Sequence, residues 1–410
     1  MKYSSIILAV AELVTLARAA AATSARSAAA KQCVQLQVPV PVIANNSHYE
    51  MPRVDSGIDA IGWELNVTAW SAPSFLDRNT GPVAVDQTFN ISAQLCVPSA
   101  EGGPKAGFLQ IATQGLGWDK RYWDIDVNPR ENSYLDAAIT QGYSLLTYDR
   151  LGTGQSDIPE DAYDIVQIPT EVEILAGLTQ LARSGQLLSS SNIVATNAAT
   201  NAATNTTANS FTAANPPSKI IHIGHSLGSY ITSGLLARHG DLSDGSVLTG
   251  YYLNSHLGLV NVSFFDHGFA AESDPARFSH YPSGYLLSTG PENMQKLFLR
   301  AGAFAPEMLD YVDEVKQPEA VGTYASESVV FEPATDFKGP LQFITGEYDF
   351  PSCGGDCNGI GSPELIQILF PGAVNPSSYL QPNTGHALTL HYNASAGFHV
   401  IFDYLTANGL

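Results

Sequence analysis

Residues 221–229 constrain the fold of this chain more than any other segment. They read IHIGHSLGS, which places a Gly-x-Ser-x-Gly motif between an apolar strand pattern and an apolar helix pattern. Because Gly224 and Gly228 lack a Cβ, the strand can reverse sharply into the helix and hold Ser226 at the tip in a strained conformation. The Leu227 N–H then lies at a helix N-terminus, where it can face a developing oxyanion. The segment therefore predicts a nucleophile elbow with Ser226 as the attacking residue.

An acidic residue is expected further along the chain, because a serine hydroxyl is a weak nucleophile and needs a base held by a carboxylate. A buried strand pattern at residues 341–346 is followed by Glu347 and Asp349. Asp349 stands where the strand gives way to a loop, so we predict it to be the acid. Glu347, which could instead cap or pair at the rim, is the alternative.

The base is predicted to be His386. It follows a strand pattern at residues 379–381 and precedes a last amphipathic helix around residues 398–405. His386 thus satisfies the order, the spacing and the loop position that a base requires. His391 and His399 are the alternatives, and both lie nearer to the terminal helix.

The upstream half contributes a second oxyanion donor. A strand pattern at residues 108–113 is followed by Gln-Gly-Leu-Gly at residues 114–117, and the Leu116 N–H is the candidate donor. Another strand pattern at residues 143–148 leads into a glycine-punctuated turn at residues 149–157. A nucleotide-binding loop is rejected there, because the full Gly-x-Gly-x-x-Gly is missing.

Taken together, these motifs resemble those of the α/β-hydrolase family, and more narrowly its secreted fungal serine esterase and lipase-like members. They span residues from about 105 to 390 in the family's order. The resemblance implies an α/β fold with a mostly parallel central sheet, flanking helices and an inserted helical lid. It also implies no cofactor, Ser226 as nucleophile, His386 as base, Asp349 as acid, and Leu227 and Leu116 as oxyanion donors. Gln114 is a departure, since the family often has His-Gly where this chain has Gln-Gly.

The length of 410 residues suits one core with an insertion. We expect the core at residues 33–256 and 335–410, beginning with an antiparallel extension of the sheet at residues 33–99. A Ser-, Thr-, Asn- and Ala-rich tract at about 189–218 is expected to be a disordered loop. Residues 257–334 are rich in aromatic side chains and are the predicted lid, over a pocket that we expect to be apolar.

Residues 1–20 have the pattern of a secretory signal peptide, with Lys2, an apolar run and a small-x-small site. The four cysteines permit two disulfides: the glycines between Cys353 and Cys357 allow a tight loop, which leaves Cys33 with Cys96. A metal site is not expected, because the two pairs lie far apart with no histidine beside them. The chain also has N-glycosylation sequons at Asn45, Asn66, Asn90, Asn205, Asn261 and Asn393.

The net charge of −20 argues against nucleic acid or an anionic membrane as a partner, since both require basic patches. No segment is long enough to span a membrane comfortably. The expected partner is a small apolar ester, lactone or acyl compound.

The sequence therefore predicts a secreted glycoprotein that hydrolyses a carboxylic ester or lactone through an acyl-enzyme. The alternatives on the same residues are an acyltransferase, in which the lid excludes water, and an aminopeptidase acting on small peptides. A binding protein with an inactive triad is the non-enzyme alternative. A serine at position 226, rather than an aspartate, argues against dehalogenase and epoxide hydrolase chemistry.

Overall fold

The computed structural model describes residues 31–99, 103–194, 211–253, 265–327 and 331–410. The predicted signal peptide and the sequons at Asn205 and Asn261 lie outside these residues. The strands of the described residues are β1 Lys31–Tyr49, β2 Asn79–Pro98, β3 Phe108–Thr113, β4 Ser144–Tyr148, β5 Asn192–Val194, β6 Lys219–His225, β7 Gly245–Thr249, β8 His267–Phe269, β9 Tyr285–Ser288, β10 Glu319–Ala320, β11 Pro340–Gly346 and β12 Val374–Gln381. Their α-helices are α1 Gly57–Thr68, α2 Phe75–Arg78, α3 Pro129–Asn132, α4 Tyr134–Thr140, α5 Ile168–Arg183, α6 Leu227–Arg238, α7 Ala270–Ser273, α8 Pro275–Phe278, α9 Pro291–Phe298, α10 Pro306–Val315, α11 Val321–Ala325, α12 Phe350–Cys353, α13 Pro363–Leu369 and α14 Ala394–Ala407.

Nine of these strands form one central sheet in the order β12-β11-β7-β6-β3-β4-β2-β1-β5. The six strands from β12 to β4 are parallel to one another, whereas β2, β1 and β5 are joined by antiparallel pairings. The inner strands β3, β4, β6 and β7 are buried almost throughout, as expected of parallel strands covered on both faces. The sheet confirms the predicted fold class and its antiparallel extension.

Helices cover the sheet in packed groups. The helix α5 packs on β1 and on α6, and α14 packs on α3 and α4. Aromatic rings join the second group to the sheet, since Phe402 of α14 stacks on Tyr134 and on Tyr143 at 5.5 and 5.7 Å between ring centroids. Helices thus pack on the central sheet through apolar residues. The loops that carry the candidate site lie at the ends of its parallel strands.

A second layer lies beside this core, which we call the cap layer, consisting of residues 57–68 and 265–327. Residues 265–327 form the three-stranded antiparallel sheet β10-β9-β8 and five short helices. Helix α1 packs on β8, with the Trp63 ring 6.5 Å from the His267 ring. The predicted lid is thus part sheet as well as helix. Its boundaries stay a prediction, because residues 254–264 and 328–330 lie outside the described chain.

The helix α1 interrupts a region that the sequence assigned to strand alone. Ser56 begins it by accepting a hydrogen bond from the Asp59 N–H, a standard N-cap. Its buried residues recur at helical spacing, at Ala60, Trp63, Glu64 and Val67. The alternating pattern of the flanking strands concealed this insertion.

The strand β7 ends at Thr249, because Gly250 takes a left-handed conformation with φ of 56°. The tract expected to be disordered at about 189–218 has defined structure at both ends. Residues 192–194 are β5 and pair with β1, and Thr212 and Asn215 form an isolated β-bridge. Residues 195–210 of that tract lie outside the described chain.

The structure contains the disulfides Cys33–Cys96 and Cys353–Cys357. Cys33 and Cys96 are directly opposite one another in the β1–β2 ladder, so this bond joins the two antiparallel strands. Among the helices of the described residues, none combines the length and the apolar character needed to cross a membrane.

Candidate active site

Ser226 occupies a strained position between β6 and α6. Its φ of 53° and ψ of −121° lie outside the regions that a serine normally adopts. The packing around the turn requires its two glycines: a Cβ on Gly224 would lie 2.5 Å from the Ser229 Cα, and one on Gly228 would lie 2.1 Å from the Thr113 carbonyl oxygen. The Ser226 N–H donates to the Thr249 carbonyl at 2.8 Å, which fixes the turn to β7. The local structure is thus a tight, strained turn from strand to helix with Ser226 at its tip, the backbone geometry that a nucleophile elbow requires.

His386 and Asp349 form a buried pair. The His386 Nδ1 lies 2.7 Å from the Asp349 Oδ2, and the two residues are 2% and 0% exposed. The other carboxylate oxygen of Asp349 accepts the Ser352 N–H at 2.7 Å, which fixes the carboxylate. A carboxylate only accepts hydrogen bonds, so the proton of the neutral imidazole is on Nδ1 and Nε2 carries a lone pair. Within the described residues, this Nε2 is buried and has no hydrogen-bond partner.

His225 connects the elbow to this pair. Its ring lies 4.9 Å from the His386 ring and stacks on Tyr122 at 4.4 Å. Gly250 fits between the two imidazoles, since a Cβ there would lie 2.8 Å from the His225 Cε1 and 3.0 Å from the His386 Cε1. Burial, and then the neighbouring His386, hold the pKa of His225 well below its usual value. His225 is therefore neutral and packs between Tyr122 and His386, a role that its position inside the motif did not reveal.

Neither Glu347 nor His399 takes part in this pair. The Glu347 carboxylate accepts the Asn383 N–H at 2.9 Å, so it ties two loops together at the rim. His399 lies on the exposed side of α14, with Nδ1 2.6 Å from the Ser395 carbonyl oxygen. Of the two acidic candidates and the histidines, the structure brings Asp349 and His386 together.

His391 supports the loop that carries His386. Its Nε2 accepts the N–H groups of Gly385 and Arg300, each at 2.9 Å. Its Nδ1–H donates to the Ala387 carbonyl at 2.9 Å. Burial lowers the pKa of His391 to about 4, which keeps it neutral and able to accept. Both ring nitrogens are thus engaged, which leaves no lone pair for a catalytic proton transfer.

The two predicted oxyanion donors belong to two segments that adjoin Ser226. The Leu227 N–H is the first of α6, and Leu116 lies in the loop after β3. Neither N–H donates a hydrogen bond to another residue in the described part of the chain. The β3 loop lies against the nucleophile, because a Cβ on Gly115 would be 2.8 Å from the Ser226 Cβ.

Arg150 supports the β3 loop. Its Nη2 donates to the Gly115 carbonyl at 3.3 Å, while the same guanidinium pairs with Glu319 and Glu171. Although burial opposes its charge, Glu319 and Glu171 keep the pKa of Arg150 above its usual value. Burial raises the pKa of Glu171 to about 7 despite Arg150. The sequence showed Arg150 only as part of a turn, and this support does not depend on the side chain of Gln114.

A cavity of about 10 Å³ borders the Leu116 loop. One of its walls is Phe298, whose ring stacks on His386 at 5.9 Å. Five of the ten residues that line this cavity are polar. The apolar character of the whole substrate pocket stays a prediction, because a cavity of this size is only a small part of such a pocket. The lining is Leu116, Gly117, Phe265, Leu286 and Phe298 on the apolar side and His267, Ser288, Gln317, Glu319 and Tyr324 on the polar side.

Four sequons lie on described residues. Asn45, Asn66 and Asn90 are exposed, whereas Asn393 is half-buried and its amide donates to the Pro382 carbonyl at 2.7 Å. Glycosylation at all six sequons stays a prediction. In the part of the chain that the structure describes, no three His, Cys, Asp or Glu side chains are grouped so that they could hold a metal ion.

Comparison with known proteins finds no matching family model and no matching curated protein. Among solved structures, an esterase from Thermogutta terrifontis is similar over 78% of this chain and 94% of its own, at 14% identity and a TM-score of 0.47. The esterase EaEST from Exiguobacterium antarcticum is similar over 77% of this chain and 96% of its own, at 12% identity and a TM-score of 0.46. The enol-lactonase from Burkholderia xenovorans is similar over 77% of this chain and 97% of its own, at 16% identity and a TM-score of 0.43. Likeness at this level lies in the course of the backbone and assigns no substrate to this chain.

Proposed function

We propose that this protein is a secreted serine hydrolase that cleaves a carboxylic ester or lactone through an acyl-enzyme. The observation that carries the proposal is the unpartnered His386 Nε2, on a ring held by Asp349 beside the strained turn of Ser226. A buried nitrogen with no partner among the described residues loses hydrogen-bonding free energy. The His225 Nε2 is also buried without such a partner, but the His225 Nδ1 faces the Thr249 hydroxyl at 3.1 Å, so of these two histidines it is His386 that combines a free Nε2 with a carboxylate on Nδ1. A base that takes a proton from a nucleophile requires a free nitrogen.

In the proposed mechanism, the Ser226 Oγ attacks the substrate carbonyl while the His386 Nε2 takes the hydroxyl proton. Asp349 stabilises the imidazolium and fixes its orientation. The N–H groups of Leu227 and Leu116 bind the oxyanion of the tetrahedral intermediate. His386 then gives its proton to the leaving alcohol oxygen, which forms the acyl-enzyme, and a water activated by His386 releases the acid.

Secretion belongs to the proposal and has its own support. The two disulfides, Cys33–Cys96 and Cys353–Cys357, are bonds that form and persist in an oxidising compartment. The leader pattern of residues 1–20 and the sequons point the same way. Expression in a eukaryotic host, with N-terminal sequencing of protein from the medium, tests this part: retention of the leader on intracellular protein would contradict it.

The test of the reaction is a substrate panel with wild type and Ser226→Ala. It contains p-nitrophenyl esters of increasing chain length, lactones and aminoacyl amides. We expect wild type to turn over esters or lactones, and Ser226→Ala to lose about 10⁶-fold in kcat with its fold preserved, since the acyl-enzyme cannot form. Turnover of aminoacyl amides alone would establish a peptidase instead.

Two further outcomes separate the remaining alternatives. If added alcohols captured most of the acyl group in place of water, the protein would be an acyltransferase. If correctly folded wild type hydrolysed none of the panel and bound a substrate without turnover, the binding-protein alternative would replace the proposal.

A further inference from the structure

A second buried histidine–carboxylate pair lies in the cap layer. The His267 Nδ1 is 2.6 Å from the Glu64 Oε1, which also accepts the His267 backbone N–H at 3.1 Å. The Tyr324 hydroxyl lies 2.8 Å from the His267 Nε2. The three residues are 7%, 2% and 3% exposed, and they come from α1, β8 and α11.

The protons of this chain of hydrogen bonds have one arrangement when His267 is neutral. The Glu64 carboxylate only accepts, so the His267 Nδ1 carries the ring proton and Nε2 accepts. Tyr324 must then donate its hydroxyl proton to Nε2. The lone pairs of the Tyr324 oxygen then remain available to accept a hydrogen bond.

This tyrosine borders the candidate active site. His267 and Tyr324 line the cavity of about 10 Å³. Its other walls include Leu116 of the loop after β3, and Phe298, whose ring stacks on His386. Glu319 and Ser288 add further oxygen atoms to the same wall. A cavity of this size holds about one water-sized group. A small polar group of a larger substrate therefore fits there.

The charges near the wall favour a neutral donor. Glu64 is paired with His267, and Glu319 is paired with Arg150. Glu327, which interacts with Tyr324 but does not line the cavity, has its pKa raised to about 7 by burial and by Glu319. An ammonium group would find no unpaired carboxylate on the lining, whereas a hydroxyl needs only an oxygen acceptor.

We propose that the Tyr324 oxygen recognises a hydroxyl group on the ester or lactone substrate, with His267 and Glu64 as its positioning residues. This inference rests on the proposed function and narrows the substrate class to hydroxylated esters or lactones. Tyr324 is the binding residue. His267 holds its hydroxyl proton away from the cavity, and Glu64 holds His267.

The experiment compares matched esters with and without one hydroxyl in wild type, Tyr324→Phe and Tyr311→Phe. One arm places the hydroxyl in the acyl chain, as in p-nitrophenyl 3-hydroxybutyrate against butyrate, and the other in the alcohol, as in 2-hydroxyethyl against ethyl butyrate. We expect wild type to prefer the hydroxylated member of at least one arm by about tenfold in kcat/KM, and Tyr324→Phe to lose that preference. Tyr311→Phe is the control, because the Tyr311 hydroxyl donates to the Arg121 carbonyl outside this cavity.

The positioning residues are tested by the same preference ratio, which a general loss of stability does not move. His267→Gln removes the defined proton arrangement, so we expect the preference to fall although unsubstituted esters are still cleaved. Glu64→Gln keeps an oxygen that can accept from Nδ1–H, so we expect it to retain part of the preference. A purely structural pair would instead lower the rates for both members of each ester pair equally.

Labelling by a fluorophosphonate separates failure of this inference from failure of the proposed function. If wild type were labelled at Ser226 but showed no preference in either arm, or kept it in Tyr324→Phe, this inference alone would be overturned. A preference for esters bearing a primary ammonium over hydroxylated ones would also overturn it. Absence of labelling would remove the proposed function and this inference with it.

Discussion

The described residues include two buried histidine–carboxylate pairs of nearly the same length, one in the core and one in the cap layer. The core pair, Asp349–His386, measures 2.7 Å, and the cap pair, Glu64–His267, measures 2.6 Å. They differ at the second ring nitrogen. The His267 Nε2 is bound to the Tyr324 hydroxyl, whereas the His386 Nε2 has no partner among the described residues.

The comparison teaches that a short histidine–carboxylate bond does not by itself make a base. Both bonds fix a tautomer and an orientation. What distinguishes His386 is an unoccupied Nε2 on a ring 4.9 Å from that of His225, the residue before the serine of the strained turn. What distinguishes His267 is the Tyr324 hydroxyl, which is bound to its Nε2. We therefore propose proton transfer for the core pair and substrate recognition for the cap pair.

The largest expected effect on activity comes from replacing His386. We expect His386→Ala to lower kcat by roughly 10⁵–10⁶-fold, since nucleophile and base act as a unit. His267→Gln is the matched change in the other pair, and we expect it to cost about tenfold on a preferred substrate. Steady-state kinetics on one ester measures both, and comparable losses in the two variants would break the distinction between the pairs.

The acids give the next largest effect. We expect Asp349→Asn to lower kcat by roughly 10³–10⁴-fold, because the amide orients the imidazole in the wrong tautomer while Ser226 and His386 remain. Glu347→Gln serves as the control, since Glu347 binds the Asn383 N–H and not His386. A crippled Glu347→Gln beside a near-normal Asp349→Asn would show that the acid has been assigned to the wrong residue.

The loop after the acid gives a smaller effect. The disulfide Cys353–Cys357 closes a short loop just after Asp349. The backbone N–H groups of Cys353 and Gly355 in this loop each donate to the Asp349 carbonyl at 3.1 Å. We expect the double change to serine to lower kcat by about tenfold through displacement of the acid, with little loss of soluble protein. Peptide mapping must first find the bond in secreted wild type. Two free thiols there would refute the proposed role.

Replacing His391 is expected to have the smallest effect on activity. It is also expected to change the way in which the stability of the fold depends on pH. Its folded pKa of about 4 lies below the roughly 6.5 of an unfolded histidine, so the unfolded chain takes up this proton first as the pH falls. The folded state therefore loses stability on this account from about pH 6.5 down to about pH 4, by on the order of 3 kcal/mol.

The measurement for His391 is a difference between variants. Other buried groups such as Glu171 titrate in the opposite sense, because a raised carboxyl pKa favours the folded state as the pH falls. Denaturant unfolding of His391→Gln at pH 7 and pH 5 is expected to show a weaker loss on acidification than wild type. The exposed His399→Gln is the control, and identical pH dependence in wild type and His391→Gln would contradict the account.

Much of the core could be predicted from local sequence. The strand β3 has the bounds that its pattern predicted, and β6, β11 and α6 follow from apolar runs around glycines that the packing requires. Local patterns succeed there because these parallel strands are almost entirely buried, so that apolar residues make up most of each strand.

The cap layer could not be predicted in the same way. Helix α1 belongs to the cap layer, yet in the sequence it comes between β1 and β2 of the central sheet. It contacts β8 through Glu64 and His267, which are about 200 residues apart in the chain. Likewise, Arg150 supports the Gly115 carbonyl from a distant turn, and His391 supports the base from its own loop. Such partners are set by tertiary contacts, and no spacing or periodicity in the sequence encodes them.

The most direct test of the central claim is the site of covalent labelling by a fluorophosphonate, read by mass spectrometry of the digested protein. The account predicts one adduct, on the peptide that contains Ser226, no adduct in Ser226→Ala, and much slower labelling in His386→Ala than in His267→Gln. Undiminished labelling of Ser226→Ala, or an adduct on another residue of wild type, would contradict it.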